Sequence, residues 1–287
     1  MICETDHAAS RMAEEECMTV DNRFWKKKFE QFEQLFALYS QATNLPFLVC
    51  DPETFDDQVY VSSDKNCIQE LAQQYANQKY RMLVVEVPKP QIQRFLAGLY
   101  AVGANALIVQ EGGLPVRVEL KQLVPEPGPE DAAKGKIPKR NPQVQLTALY
   151  FLQELRRAGE RTSEERQRLR SLEEEMAVNL MKSRFILALD ITEIKGKWDP
   201  KDPSQKAKIP FVKDKAGNIF LPCYSDLGEF EKFNAKNKNV KFCLLSIPYE
   251  ELPKYLLKES KGFVFNPAGF HLILTREAME NMKKNYA

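Results

Sequence analysis

At 287 residues, with 44% hydrophobic and 28% charged side chains, the chain has the composition of a soluble globular protein, and its length favours two domains over one. Lysine plus arginine (41) nearly cancels aspartate plus glutamate (40), so a net charge of +1 gives no electrostatic case for nucleic acid or an anionic membrane as the main partner. Apolar runs such as Phe185–Leu189 and Ala104–Val109 are far shorter than the ~18 residues of a membrane-spanning helix.

No secretory-signal pattern opens the chain, and the cytoplasm is the expected compartment. The cysteines are Cys3, Cys17, Cys50, Cys67, Cys223 and Cys243. None forms a Cys-x-x-Cys pair, which argues against a disulfide framework and a zinc ribbon. The only histidines are His7 and His271. We expect no metal and no cofactor.

In chain order, residues 1–21 lack apolar periodicity and read as a disordered tail, with Met12 and Met18 as alternative starts. From Arg23 to Ala42, Trp25, Phe29, Phe32, Phe36 and Tyr39 recur at helical spacing and predict an amphipathic helix. Leu45–Cys50 and Gln58–Ser62 bracket a turn-rich segment and predict a hairpin. Ser63, with Asp64 beside it, is the expected cap of a helix carrying Ile68, Leu71, Ala72 and Tyr75. Arg81–Val87 is apolar and β-branched, as a central strand would be. Pro88 and Pro90 end it and open a helix over 91–102, and a second hairpin joins Ala106–Val109 to Val116–Leu120.

Residues 125–142 are rich in proline and glycine and predict a linker. A helical hairpin over 143–183 follows, its second helix opened by a capping box from Thr162 to Glu165. Phe185–Ile191 is a strand. Residues 195–208 are basic and proline-broken, the pattern of a mobile solvated loop. A strand over 219–224, a helix capped by Ser225 and Asp226, a central strand over 242–247, a helix from Pro248 to Leu257 and a closing hairpin around Asn266-Pro267-Ala268-Gly269 complete the chain, with a last helix starting near Arg276.

The last third restates an earlier one. Pro46-Phe47 matches Pro210-Phe211, Ser63-Asp64 matches Ser225-Asp226, Pro88 matches Pro248, and Gly113 matches Gly269. Such self-similarity means one unit built twice. One register stays open: Leu45–Cys50 can match Ile209–Lys213 or Phe185–Leu189, and the second choice would leave the first copy one strand short. The expected layout is repeat 1 over 22–124, linker 125–142, helical hairpin 143–183 and repeat 2 over 184–287. The fold class is α+β, each repeat a small mixed sheet with helices mainly on one face.

The run 209–275, with IPFV, AGN, FLPCYSD, LLSIP and above all GFVFNPAGFHLIL, resembles the amino-terminal domain of the SseB (enhanced serine sensitivity) family. The first copy resembles it weakly, since Gln110-Glu111 replaces Asn-Pro. The resemblance implies a small, soluble bacterial protein without an agreed active site, and a link to sulfurtransferases suggested for some members.

Cys223 ends a strand just before a capped helix, where a thiol can become nucleophilic. Its neighbours are acidic where a thiolate wants a base, and its strand position suits burial equally well. Asn266, Pro267, Gly269 and Phe270, with Tyr224 and Asp226, form the other candidate site, a rigid hairpin presenting Asn266 and Phe270 to a partner. The leading reading is a non-catalytic interaction or regulatory module that binds a protein, with self-association left open. The alternatives are a thiol-dependent transferase using Cys223 and a small-ligand sensor with its site between the repeats.

Overall fold

The computed structural model describes residues 24–128, 137–196, 198–199, 202 and 205–286. The tail at 1–21, most of the linker's middle (129–136) and positions 197, 200–201 and 203–204 of the basic loop lie outside the described residues, as do His7, Cys3 and Cys17. The fold is α+β, and the chain divides into two compact units. Unit 1 takes in the described residues up to Tyr39 with Pro46–Gln78 and Met82–Pro127. Unit 2 takes in Ser40–Leu45, Lys79–Arg81 and the described residues from Gly128 onward.

The first helix, α1, covers only 24–31, and Gln34–Ser40 is a strand, β1. This corrects the long helix expected over 23–42. Trp25 and Phe29 do pack inward, with Phe29 edge-on to Phe32 at 5.1 Å. Beyond Gln34, however, Leu35, Phe36, Ala37 and Leu38 are all buried. A run buried on consecutive positions is the mark of a central strand covered on both faces. The aromatic spacing that suggested one helix joins a helix to a strand.

Unit 1 continues with β2 (Leu45–Pro46), β3 (Leu48–Cys50), β4 (Asp57–Ser62), α2 (Lys65–Asn77), β5 (Met82–Pro88), α3 (Lys89–Leu99), β6 (Ala106–Val109), β7 (Val116–Glu119) and the single turn α4 (Leu120–Leu123). β4 lies antiparallel to β1 and β3 and parallel to β6, which pairs antiparallel with β7. β5 closes the other side of β1. The cap of α2 is Asp64, one residue later than expected, its carboxylate accepting the Asn66 N–H at 2.9 Å.

Unit 2 holds α5 (Pro142–Leu155) and α6 (Ser163–Lys182), the latter opened by the Thr162–Glu165 capping box. Then come β8 (Arg184–Asp190), β9 (Val212–Lys213), β10 (Ile219–Cys223), α7 (Leu227–Asn234), β11 (Phe242–Pro248), β12 (Ser260–Phe265), β13 (Leu272–Thr275) and α8 (Arg276–Tyr286). β10 is antiparallel to β9, parallel to β12, and bridged to β8 through Tyr224 and Ile186; β12 is antiparallel to β13 and β8 to β11.

The strand order and pairing senses are therefore the same in both units, with β5, β1, β4, β6 and β7 answering to β11, β8, β10, β12 and β13. Single hydrogen bonds recur too. Lys89 donates to the Glu33 carbonyl as Tyr249 donates to Ser183, and Gln110 donates to Val61 as Asn266 donates to Cys223. In this order Phe185–Leu189 answers to β1, not to Leu45–Cys50, and unit 1 lacks none of the strands of unit 2.

Three expectations change. Arg81–Val87 and Phe242–Ile247 have the composition of central strands, yet β5 and β11 lie at the edges and most of their residues keep some exposure. The central places go to β1 and β8, whose runs are more completely buried. The segment after Pro248 is a 3-10 helix over Tyr249–Tyr255, with Pro253 inside it removing the N–H that an α-helix would use.

Candidate functional site

The start of α7 carries the densest polar cluster of unit 2. Asp226 caps the helix, its Oδ1 accepting the Glu229 N–H at 3.1 Å. Ser225 Oγ donates to Asp226 Oδ2 at 2.6 Å. From the hairpin, Asn266 Oδ1 accepts the Ser225 N–H and Nδ2 donates to Ser225 Oγ, both at 2.8 Å. From α5, the Gln145 amide lies 3.2 Å from Ser225 Oγ, 3.2 Å from Asp226 Oδ2 and 3.1 Å from Glu229 Oε1. Lys232 reaches Glu229 from outside at 2.5 Å.

Gln145, Ser225, Asp226, Glu229 and Asn266 are all buried, while Lys232 is exposed. Burial raises the Glu229 carboxyl above its ordinary value, with the Lys232 ammonium pulling the other way. Glu229 Oε2 and Gln145 Oε1 have no hydrogen-bond partner among the described residues. Gly269 allows the arrangement: a Cβ there would stand 2.3 Å from Glu229 Oε2.

The hairpin is thus turned inward. Asn266 and Phe270, read from sequence as groups presented to a partner, are both 0% exposed. Asn266 adopts φ 48° and its carbonyl accepts the N–H groups of Gly269 and His271, so the residue builds the turn as well as bonding Ser225. Tyr224 is likewise interior, stacked edge-on to Phe230 at 5.4 Å. Pro267 is half-buried, and His271 is exposed with Nδ1 3.4 Å from the Pro267 carbonyl. Cys223 is 0% exposed, and burial pushes its thiol well above the usual range. A nucleophilic thiol needs access and a lowered pKa, and this environment offers neither.

Sequence reading missed Gln145, Glu229 and Arg156. Glu229 stands three residues after the Asp226 cap, a spacing that could have flagged it. Gln145 was masked by its apolar helix. Arg156, at the end of α5, donates to the carbonyls of Phe270 at 3.0 Å and His271 at 2.6 Å and fixes the hairpin's far side.

Unit 1 solves the same position differently. There Glu111 takes the place of the asparagine side chain, its carboxylate accepting the Ser63 N–H at 2.9 Å and the Ser63 hydroxyl at 2.9 Å, with Lys28 3.4 Å away. The shared element is a side chain from the β6–β7 or β12–β13 turn that holds the serine before the helix.

A second feature of unit 2 opens outward. Where α4 is one turn, α8 runs from Arg276 to Tyr286, capped by Thr275 Oγ1. With the end of α6 and the 3-10 helix it encloses a pocket of about 440 Å³. Met181, Tyr249, Pro253, Leu256 and Met279 form an apolar floor, and Glu250, Arg276, Glu280 and Lys283 the rim. The buried Tyr249 hydroxyl, 3.8 Å from the Met282 sulfur, is pushed up to about 12 by burial. None of the four rim charges has an ion-pair partner among the described residues.

Among the described residues no three His, Cys, Asp or Glu side chains gather as metal ligands, and no helix is long and apolar enough to cross a membrane.

No known protein family and no curated protein matches the chain. Two solved structures align with it. Anabaena Tic22, described as a protein of protein transport, is 10% identical over 90% of this chain and 96% of its own, at a TM-score of 0.21. Tic22 from Plasmodium falciparum is 10% identical over 90% of this chain and 95% of its own, also at 0.21. Scores this low carry no argument about fold or function.

Proposed function

We propose that the protein is a non-catalytic binding module of the SseB-like type, present as two diverged copies, and that unit 2 binds a protein partner through the α8 pocket. One observation carries this reading: an apolar floor ringed by four charged side chains that are unpaired among the described residues. An apolar side chain of a partner would fill the floor, and its flanking charges would meet the alternating signs of the rim. The polar groups that sequence singled out support the same reading from the other side, because they are spent on internal hydrogen bonds.

The test is affinity capture from the source cell's lysate with the whole chain and with Arg276→Glu and Lys283→Glu. Both positions are exposed, so the fold should survive the changes. A stoichiometric protein retained by the wild type and lost by both variants supports the reading. Equal retention by all three would place the contact elsewhere.

A second reading rests on volume, since about 440 Å³ falls within the range of small-molecule pockets, ~300–1,000 Å³. It predicts a metabolite-dependent rise in melting temperature that Arg276→Glu abolishes. The transferase reading would instead require Cys223 to be alkylated in the folded protein.

A further inference from the structure

The two sheets treat their matching edges differently. Among the described residues β5 and β11 each pair on one side only, with β1 and β8 respectively. In β11 the register with β8, together with the bonds Ile191 N–H to Lys241 O and Tyr249 N–H to Ser183 O, turns the backbone of Cys243, Leu245 and Ile247 toward β8. The backbone groups of Phe242, Leu244 and Ser246 therefore point away from the sheet. Arg184 donates to Ser246 Oγ at 3.0 Å and to its carbonyl at 2.5 Å, which leaves the three N–H groups and the carbonyls of Phe242 and Leu244 facing out.

In β5 the outward residues are Met82, Val84 and Glu86, and Glu86 is exposed. A charge on an edge strand is a common guard against pairing with another chain. The residue answering to Glu86 in β11 is Ser246, and the whole stretch Phe242–Pro248 carries no charge. Apart from the Arg184 guanidinium at its Ser246 end, this edge has no charged guard, and it is a template for another strand.

Charge selects the occupant. Lys236, Lys238 and Lys241 lead into β11, while Glu250 and Glu251 follow it, and none of the five is ion-paired among the described residues. A strand that is basic before and acidic after is complementary to itself when antiparallel and repels itself when parallel. Centred on Leu244, antiparallel self-pairing sets Phe242 opposite Ser246 and points the lysine-rich turn before each β11 toward the acidic start of the 3-10 helix after the other, with Lys238 and Glu250 on the facing sides. The N–H groups of Leu244 and Ser246 then meet the free carbonyls of Leu244 and Phe242 across the axis, that of Phe242 faces the Ser246 carbonyl, whose second lone pair it would share with Arg184, and Pro248, which has no N–H, ends the ladder. We propose that the protein dimerises by antiparallel pairing of β11 with β11 of a second copy, a self-complementary two-fold interface that makes one continuous sheet of the two.

The test is sedimentation equilibrium of the full chain from low to high micromolar concentration, with hydrogen exchange on the same samples. The wild type should shift from monomer to dimer. The amides of Phe242, Leu244 and Ser246 should gain protection with concentration, while those of Cys243, Leu245 and Ile247, already bonded to β8, should not. Ser246→Glu copies the guard that unit 1 carries and should raise the midpoint concentration by about tenfold or more. Lys238→Glu should weaken the dimer, and Lys238→Glu with Glu250→Lys should restore it. If Ser246→Glu fails to fold, the charge exchange decides alone. A wild type that stays monomeric throughout overturns the proposal, as does a dimer indifferent to the charge exchange.

Discussion

Gly269→Ala tests how unit 2 is held together. The added Cβ would stand 2.3 Å from Glu229 Oε2 and 2.9 Å from its Cδ, distances that real Cβ atoms do not tolerate. The backbone of Gly269 is not left-handed, so alanine adds no strain of its own and the cost falls on the carboxylate. Glu229 cannot step aside freely, because it is buried and tied to Gln145 at 3.1 Å and Lys232 at 2.5 Å. Overpacking of a tight interior costs about 1–3 kcal/mol. Displacing a charge-assisted bond adds about 1.5–3 kcal/mol, so the sum is about 2.5–6 kcal/mol. The assay is urea unfolding of the full chain, following the transition of unit 2, with Gly269→Ala made in the wild type and in a Glu229→Ala background. In the second background the obstructing atoms are gone, and the substitution should be nearly neutral, so the coupling should be about as large as the cost in the wild type. An equal cost in both backgrounds would refute the account, since the penalty would then have nothing to do with the carboxylate.

Asn266→Ala removes both bonds to Ser225 and leaves a buried N–H without an acceptor; we expect a loss of about 2–4 kcal/mol in the same assay. The Glu229 carboxyl is raised in the folded state, so the native protein holds the proton more tightly than the unfolded chain does. Stability should therefore fall as pH rises from the ordinary glutamate range through the elevated folded value, and Glu229→Gln should flatten that part of the melting-temperature profile. Alkylation located by mass spectrometry should label the exposed Cys50 in the native protein and spare Cys223 until the chain unfolds. Thr162→Ala should cost about 1 kcal/mol by breaking the capping box at the start of α6.

Local chemistry was legible where a single residue type enforces it. The Thr162–Glu165 box, the proline ends of β5 and β11, and the Asn266 turn are each dictated within a few residues, and the structure places them where sequence puts them. Periodicity failed where two elements share one apolar run: Phe32 and Phe36 fall on a helical spacing although the chain turns from helix to strand between them. It failed again for β5 and β11, because apolar content alone does not say whether a strand has one neighbour or two.

The candidate site was half legible for a related reason. Asp226 and Asn266 announce a cap and a turn, but whether their side chains face solvent or the interior depends on what packs over them. That cover is Gln145, a residue eighty-one positions from Asp226 on a helix otherwise read as apolar. Sequence spacing carries no record of such a contact. Unit 1 shows how loosely the requirement is written: Glu111 performs there, with a carboxylate one position further along the turn, the task that Asn266 performs with an amide. What both units keep is a serine N–H before the helix that must find an acceptor, and a turn close enough to supply one. The need for that hydrogen bond, more than the identity of the residue that makes it, is what the two halves of the chain have in common.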